Sequence, residues 1–377
     1  MKMTRRQFIL GSTALTGTAM VGGTVAFLHT PQFGRKPSKE RLARMMASPN
    51  WSDGVFRNYE PFVSPPPQIG KPKNRLKLWW DFLLADKSAL APKGPIPTVK
   101  TDLKALDPSR DLAVWMGHST IYMQLGGKRI LIDPVFSDYA SPVWFINRAF
   151  DGVNIYSADD FPEIDILAIT HDHWDHLDYP TIDALLPKIR RAICPLGVGE
   201  YLEQWGMAAD AISEGDWFDE FDFDGLRIAV TPTRHFSGRL TRRNQTLWGG
   251  FAFRSQNRNV LVSGDGGFGA HFKRIADAFA PFDFAFLENG QYNVRWPSVH
   301  THPHETAQVA DIIGARYVVP THNSKFTLSN HAWNTPMTTL AQFSAGHDWR
   351  LLTPRIGDVI DFAEPALFPA WYAAPEA

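Results

Sequence analysis

A chain of 377 residues can form one large domain or two ordinary ones, with ample core. Its 44% hydrophobic and 20% charged residues exclude a disordered polymer, and a formal net charge of −1 excludes a global field drawing it to nucleic acid. The single cysteine, Cys194, excludes an intramolecular disulfide framework and a thiolate-rich zinc site.

The N-terminus pairs Arg5 and Arg6 ahead of a stretch, Gly11 to Leu28, that carries no charge. This resembles a twin-arginine export signal. A membrane anchor is the alternative, because about 20 apolar residues span a bilayer. No clear cleavage site follows, so residues 1–30 are expected to be a signal or inner-membrane anchor. Export to the periplasm, with membrane association through the N-terminus left open, is the expected localisation. Residues 31–105 are a Pro-rich extension in which "SPPPQIGKPKNR" and "APKGPIPT" break any long element. Within it, 76–85 is apolar enough for a short helix.

Residues 106–377 have a different texture. Short apolar runs repeatedly end at a residue of catalytic type: "LAVWMG" at His118, "RILI" at Asp133, "IDILAIT" at His171 and "LRIAVTPTR" at His235. "NVLVSG" ends at Asp265, "DFAFL" at Glu288 and "RYVVPT" at His322. Runs of this kind read as buried strands, and loops at strand ends carry function. Helical stretches intervene at 181–190, 199–206, 272–280 and 304–314, so the expected class is an α/β sandwich with a common catalytic rim.

The segment "ITHDHWDHLD", 169–178, concentrates three of the 13 histidines within six positions. His171 and His173 stand two apart on an extended loop and can face one metal ion. Asp175 and His176 can turn toward a second ion about 3.5–4 Å away. Imidazole and carboxylate together suit a first-row metal such as zinc. His235, Asp265 and His322 are the strand-end residues best placed to complete two sites. A carboxylate bridging both ions would help fix their separation, and the glycines of "SGDGG" let Asp265 project. A water between two such ions ionises near neutral pH and becomes a nucleophile.

H-x-H-x-D-H with downstream His, Asp and His resembles the metallo-β-lactamase superfamily of binuclear hydrolases. The segments "WMGHSTIYMQLGGKRILIDPVFSDYASP", "THDHWDHLDYPTI", "PLGV", "LWGGF", "SGDGGF", Arg295-Trp296 with His300, Pro303 and Glu305, and "THNSKF" resemble one branch of it. That branch contains N-acyl-phosphatidylethanolamine phospholipase D and its bacterial relatives, and the likeness runs from about Leu112 to Asp361. It implies an αββα sandwich. It also implies one metal held by His171, His173 and His235, a second by Asp175, His176 and His322, and Asp265 bridging. It places His300 beside the metals without making it a ligand. "ENGQYN" at 288–293 and "THNSKF" depart from the phospholipase pattern, and both border the site.

The function expected is therefore phosphodiester hydrolysis, of a small molecule or a phospholipid, with two divalent ions, zinc foremost, and with Asp175 and His300 as catalytic residues, His300 as proton donor. A lactonase of the sugar-phosphate type and a non-enzymatic metal-binding envelope protein are the alternatives. Other roles remain open in the sequence. His300 is either the proton donor or a helix cap. His118 partners a ligand or is satisfied by backbone. Asp133 is expected to orient a metal-binding histidine. Glu288 is either a supporting acid or structural, and His302 and His304 are separated by Pro303, which hinders their converging on a metal. Arg239, Arg242 and Arg243 form a solvated face or meet a phosphate.

Overall fold

The computed structural model describes residues 23–65, 90–239 and 243–373. The Arg5-Arg6 segment, the helix expected over 76–85 and Arg242 lie outside the described residues. No helix among the described residues is long and apolar enough to cross a membrane.

The runs that end at polar residues are strands. In chain order they are β1 (Leu112–Trp115), β2 (Ile121–Leu125), β3 (Lys128–Ile132), β4 (Ile164–Ala168), β5 (Ile189–Pro195) and β6 (Ile212–Gly215). There follow β7 (Glu220–Phe223), β8 (Leu226–Thr231), β9 (Gly250–Arg254), β10 (Asn259–Val262), β11 (Phe282–Glu288), β12 (Ala315–Thr321), β13 (Arg350–Leu351) and β14 (Val359–Asp361). They build two seven-stranded sheets, ordered β14-β1-β2-β3-β4-β5-β6 and β13-β12-β11-β10-β9-β8-β7. The first is antiparallel from β14 to β3 and parallel from β3 to β6. The second is antiparallel from β7 to β10 and parallel from β10 to β13.

Side-chain alternation along each strand decides which layer it faces. In β11, Phe284 and Phe286 join the core between the sheets, with Ile130, Ile132, Ile166, Val230 and Val262. Its Ala285 and Leu287 face outward, and with Phe282 at the strand's start they pack with Phe272, Ile275 and Phe279 of helix α4 (His271–Phe279) and Ala307 and Ala310 of α5 (Pro303–Ile312). On the other flank Leu167, Ala192 and the buried thiol of Cys194 pack against Ile182 of α2 (Tyr179–Leu185) and Leu202 of α3 (Gly199–Gln204). The layers are therefore helix, sheet, sheet, helix, the expected αββα sandwich.

The strand directions locate the site. Two antiparallel steps make β1 run with β3 and β4, and β8 run with β10, β11 and β12. Their carboxyl ends thus lie on one edge of each sheet, where open α/β sheets collect ligands. All seven strand-end residues singled out from the sequence follow these strands.

The N-terminal extension is part of this body. Helix α1 (Lys39–Ala47), capped by Ser38, inserts Arg41 among three carboxylates. Its guanidinium donates to Glu214 and Glu200 at 2.7 Å each and to Glu203 at 2.9 Å. Glu214 also accepts from Gly197 and Gly199 N–H, at 2.9 and 3.0 Å. Removing one member of a buried ion network leaves the others uncompensated. Arg41→Ala is expected to lower unfolding free energy by about 3–5 kcal/mol in chemical denaturation. A loss typical of an exposed pair, about 0–1 kcal/mol, would show that the helix is merely draped on the surface.

Candidate metal centre

The loop after β4 carries His171, Asp172, His173, Asp175 and His176 across the sheet edge, and the second sheet meets it with His235, Asp265 and His322. The backbone crosses between sheets here. His118 N–H donates to Asn323 O at 3.0 Å, and His322 N–H to His118 O at 2.9 Å. His118, Asp133 and His322 all adopt left-handed backbone, at φ 53°, 43° and 62°. For non-glycine residues that conformation costs roughly 1–3 kcal/mol each and persists only where the surroundings enforce it. Lys325, fully buried, ties the same loops by donating to Val135 O at 2.6 Å, and burial pushes its ammonium down to about 7.

Two donor groups result. In the first, His171 Nε2 lies 2.9 Å and His235 Nε2 3.2 Å from His173 Nδ1. His171 Nδ1 donates to Thr170 Oγ1, which itself donates to Asp133 at 2.6 Å. His235 Nδ1 donates to Val299 O at 3.1 Å. Both Nε2 atoms therefore present bare lone pairs. A proton on His173 serves one of the two contacts, whereas a cation satisfies all three nitrogens. Donors sharing a tetrahedral ion lie roughly 3.3 Å apart, given bonds of about 2.0–2.1 Å, so the cluster fits a metal. Burial holds His173 and His235 at about 3 and His171 well below its ordinary value, the neutral forms that ligate.

The second group is acidic. Asp175 Oδ2 lies 3.3 Å from His322 Nε2 and 3.6 Å from His176 Nε2. Asp265 Oδ2 stands between the groups, 2.9 Å from His322 Nε2, 3.0 Å from His176 Nε2, 3.9 Å from His235 Nε2 and 4.0 Å from His171 Nε2. Burial opposes charge on His176, yet Asp265, Asp175 and Asp133 raise it to about 10, and His322 is raised in the same way. The carboxylates thus draw positive charge into a site that a divalent cation fits. Asp265 can project because of its glycines. Gly264 is left-handed at φ 63°, and a Cβ on Gly267 would stand 2.1 Å from Ser298 O.

Supporting contacts fix these side chains. Asp133 accepts from Thr170 N–H and Oγ1 and from His176 Nδ1, at 2.8, 2.6 and 2.8 Å, as expected for a residue orienting the histidine loop. His118 Nε2 donates to Asp175 Oδ2 at 2.8 Å, so its ring partners that carboxylate rather than backbone. Glu288 accepts from Gly266 N–H, beside Asp265, at 2.5 Å, and its other oxygen bonds His300 Nδ1 and lies 3.2 Å from His322 Nδ1.

His300 is not the cap of α5. That place belongs to His302, whose N–H bonds Glu305 at 2.8 Å. The His300 ring instead lies 5.0 Å from His322 and 5.2 Å from His235, centroid to centroid. His302 and His304 belong to none of the potential metal clusters among the described residues. Arg239 is not available to a phosphate. It is buried over Trp174, 4.1 Å from the ring centre, and donates to Asp172 O, Gln32 O and Leu177 O. Arg243 is exposed, its guanidinium 4.7 Å from the Phe236 ring, which packs 4.6 Å from His173 and 4.7 Å from His235.

The family model for the Beta-lactamase superfamily domain matches residues 128–323. An uncharacterized protein of Mycobacterium tuberculosis is 35% identical over 332 residues, 86% of this chain and 87% of its own. An N-acyl-phosphatidylethanolamine-hydrolyzing phospholipase D of Caenorhabditis elegans is 31% identical over 254 residues, 64% of this chain and 71% of its own. Among solved structures, an isothiocyanate hydrolase from Delia radicum gut bacteria superposes with a TM-score of 0.51. It covers 66% of this chain and 98% of its own at 20% identity, a likeness of fold alone.

Asp133 allows a direct check of the supporting contacts. Asp133→Ala leaves Thr170 N–H without a partner and His176 Nδ1 with only Thr170 Oγ1 at 3.4 Å, an expected cost of about 1–3 kcal/mol in unfolding free energy. Metal affinity, measured by chelator competition, should fall about 10–100-fold. Unchanged affinity would show that His176 is oriented by other means.

Proposed function

The chain belongs to the β-lactamase superfamily, with the metallo-β-lactamase fold of metal-dependent hydrolases, and from that premise we propose that it is a binuclear phosphodiesterase acting on a lipid phosphodiester. The observation that carries the reading is the position of Asp265, one carboxylate oxygen within reach of histidines from both donor groups. In the proposed arrangement His171, His173 and His235 would hold one divalent ion and Asp175, His176 and His322 the other, with Asp265 within reach of both sets and zinc the expected metal. When bound, such a pair supplies an ionised water near neutral pH and charge neutralisation for a phosphoryl group.

The chain's own residues would do the rest. His300, with Nδ1 engaged by Glu288, keeps Nε2 as the nitrogen able to hand a proton to a leaving alkoxide. Glu288 orients that ring through its contact with Nδ1. Asp175 would be held in orientation by His118. Arg243, exposed one ring away from His173, supplies a cation for the phosphate.

Two further features favour a lipid. Trp144 and Phe145 are 75% and 65% exposed at the tip of a loop. That loop is tied back beside the His322 segment by the Ala149–Phe326 bridge and by Phe150 N–H to Lys325 O at 2.8 Å. The likeness to the C. elegans phospholipase supports the same class. Lactone hydrolysis on the same scaffold is the second reading, favoured by the departures at 288–293 and 322–326. Membrane association and periplasmic export through the twin-arginine segment remain proposals alongside it.

Zinc-loaded protein should hydrolyse an N-acyl phosphatidylethanolamine in mixed micelles, and a generic phosphodiester more slowly, with lactones slower by at least about tenfold, equivalent to 1.4 kcal/mol of barrier. Faster lactone turnover would replace this reading with the second. His300→Ala should retain its metal and lose kcat by about 10²–10⁴ on an alkyl ester. A nitrophenyl ester, which needs no proton on its leaving group, should be affected far less. Equal losses on both would remove His300 from the proton path.

A further inference from the structure

His235 lies on an irregular loop, where no neighbouring strand pairs with its main chain. Its backbone partner comes from elsewhere. Asn58, in the N-terminal extension, accepts from His235 N–H through Oδ1 at 3.0 Å and donates to His235 O through Nδ2 at 2.8 Å. The carboxamide thus brackets a single residue in both directions, as a neighbouring strand would. Its own orientation is fixed, because Oδ1 also accepts from Trp248 Nε1 at 3.1 Å and Trp248 is fully buried.

We infer that Asn58 is a positioning residue for His235, so that the extension ahead of the family domain builds one of the two metal positions. The inference rests on the reading of His235 as a ligand given above. Asn58 lies well before residue 128, where the match to the family model begins. With its main chain held by Asn58 and its Nδ1 bonded to Val299 O, His235 has one free nitrogen, aimed at His173.

The segment around Asn58 is anchored on both sides. Phe56 is fully buried and its N–H donates to Asn244 O at 2.9 Å. Arg57 N–H donates to Asn50 O at 2.8 Å, and Val63 N–H to Ser298 Oγ at 2.8 Å, two residues from His300. Glu60 accepts from Ala270 N–H at 3.1 Å. The strap therefore follows the rim of the site from His235 to the His300 loop. Few side chains could replace Asn58. Aspartate lacks the donor for His235 O, and alanine lacks both bonds.

Purified protein reconstituted with zinc and titrated with a competing chelator tests this. Asn58→Ala should weaken one metal equivalent about 10–100-fold, the usual effect of removing a partner that orients a ligand, and leave the other within a few-fold. Arg57→Ala, an exposed neighbour, should bind both equivalents as the unaltered chain does. Should Asn58→Ala fail to fold, Asn58→Asp keeps the volume and the acceptor and should still weaken one equivalent. His235→Ala serves as reference. If it loses an equivalent while the Asn58 variants bind both normally, the inference is overturned. If His235→Ala itself binds both, the ligand reading beneath it fails instead. Equal weakening of both equivalents in Asn58→Ala would mark a general loosening and also overturn the role.

Discussion

The structure depends on one electrostatic constraint: buried lone pairs and carboxylates converge where water cannot solvate them. Five histidines and two aspartates meet at the edge between the sheets, each nearly buried except His173 and Asp175. An uncompensated buried charge costs several kcal/mol, and facing lone pairs repel. The scaffold holds this arrangement through contacts one step outward. Thr170, Asp133 and Val299 O engage Nδ1 of His171, His176 and His235, leaving their Nε2 atoms pointed inward, and His118 holds the Asp175 carboxylate. A cation at the centre is the partner for which such preorganisation is suited.

That constraint explains the unusual backbone. His118, Asp133 and His322 occupy left-handed conformations just past the ends of three strands, where the chain turns into the loops that carry the site. The two inter-sheet hydrogen bonds between the His118 and His322–Asn323 segments then lock the edges together. Fold and site are consequently coupled, and the N-terminal segment joins them through Arg41 on one flank and Asn58 on the other.

How much of this was legible in the sequence follows from the reach of each interaction. Strands ending at His118, Asp133, His171, His235, Asp265, Glu288 and His322 were readable because apolar runs and their polar terminators are local features. Their common edge followed once alternating strands and helices were recognised. Pairings across the fold were not readable. Glu288 with His300 joins a strand end to a loop 12 residues on, and Asn58 with His235 spans 177 residues. Arg239 was left between a solvated face and a phosphate contact because its charge is visible in sequence, whereas the three carbonyls that consume it are not. His300 was left between proton donor and cap because Pro303 signals a helix start without saying which preceding residue caps it. The contacts that Arg41 and Asn58 make with the rest of the chain were hidden for the same reason.

Anomalous diffraction from metal-loaded crystals, recorded above and below the absorption edge of the bound metal, tests the central claim most directly. The account predicts two peaks per chain, one among His171, His173 and His235 and one among Asp175, His176 and His322, about 3.5–4 Å apart with Asp265 in contact with both. A single peak, or a peak whose ligands include His302 or His304 in place of His235 or His322, would contradict it.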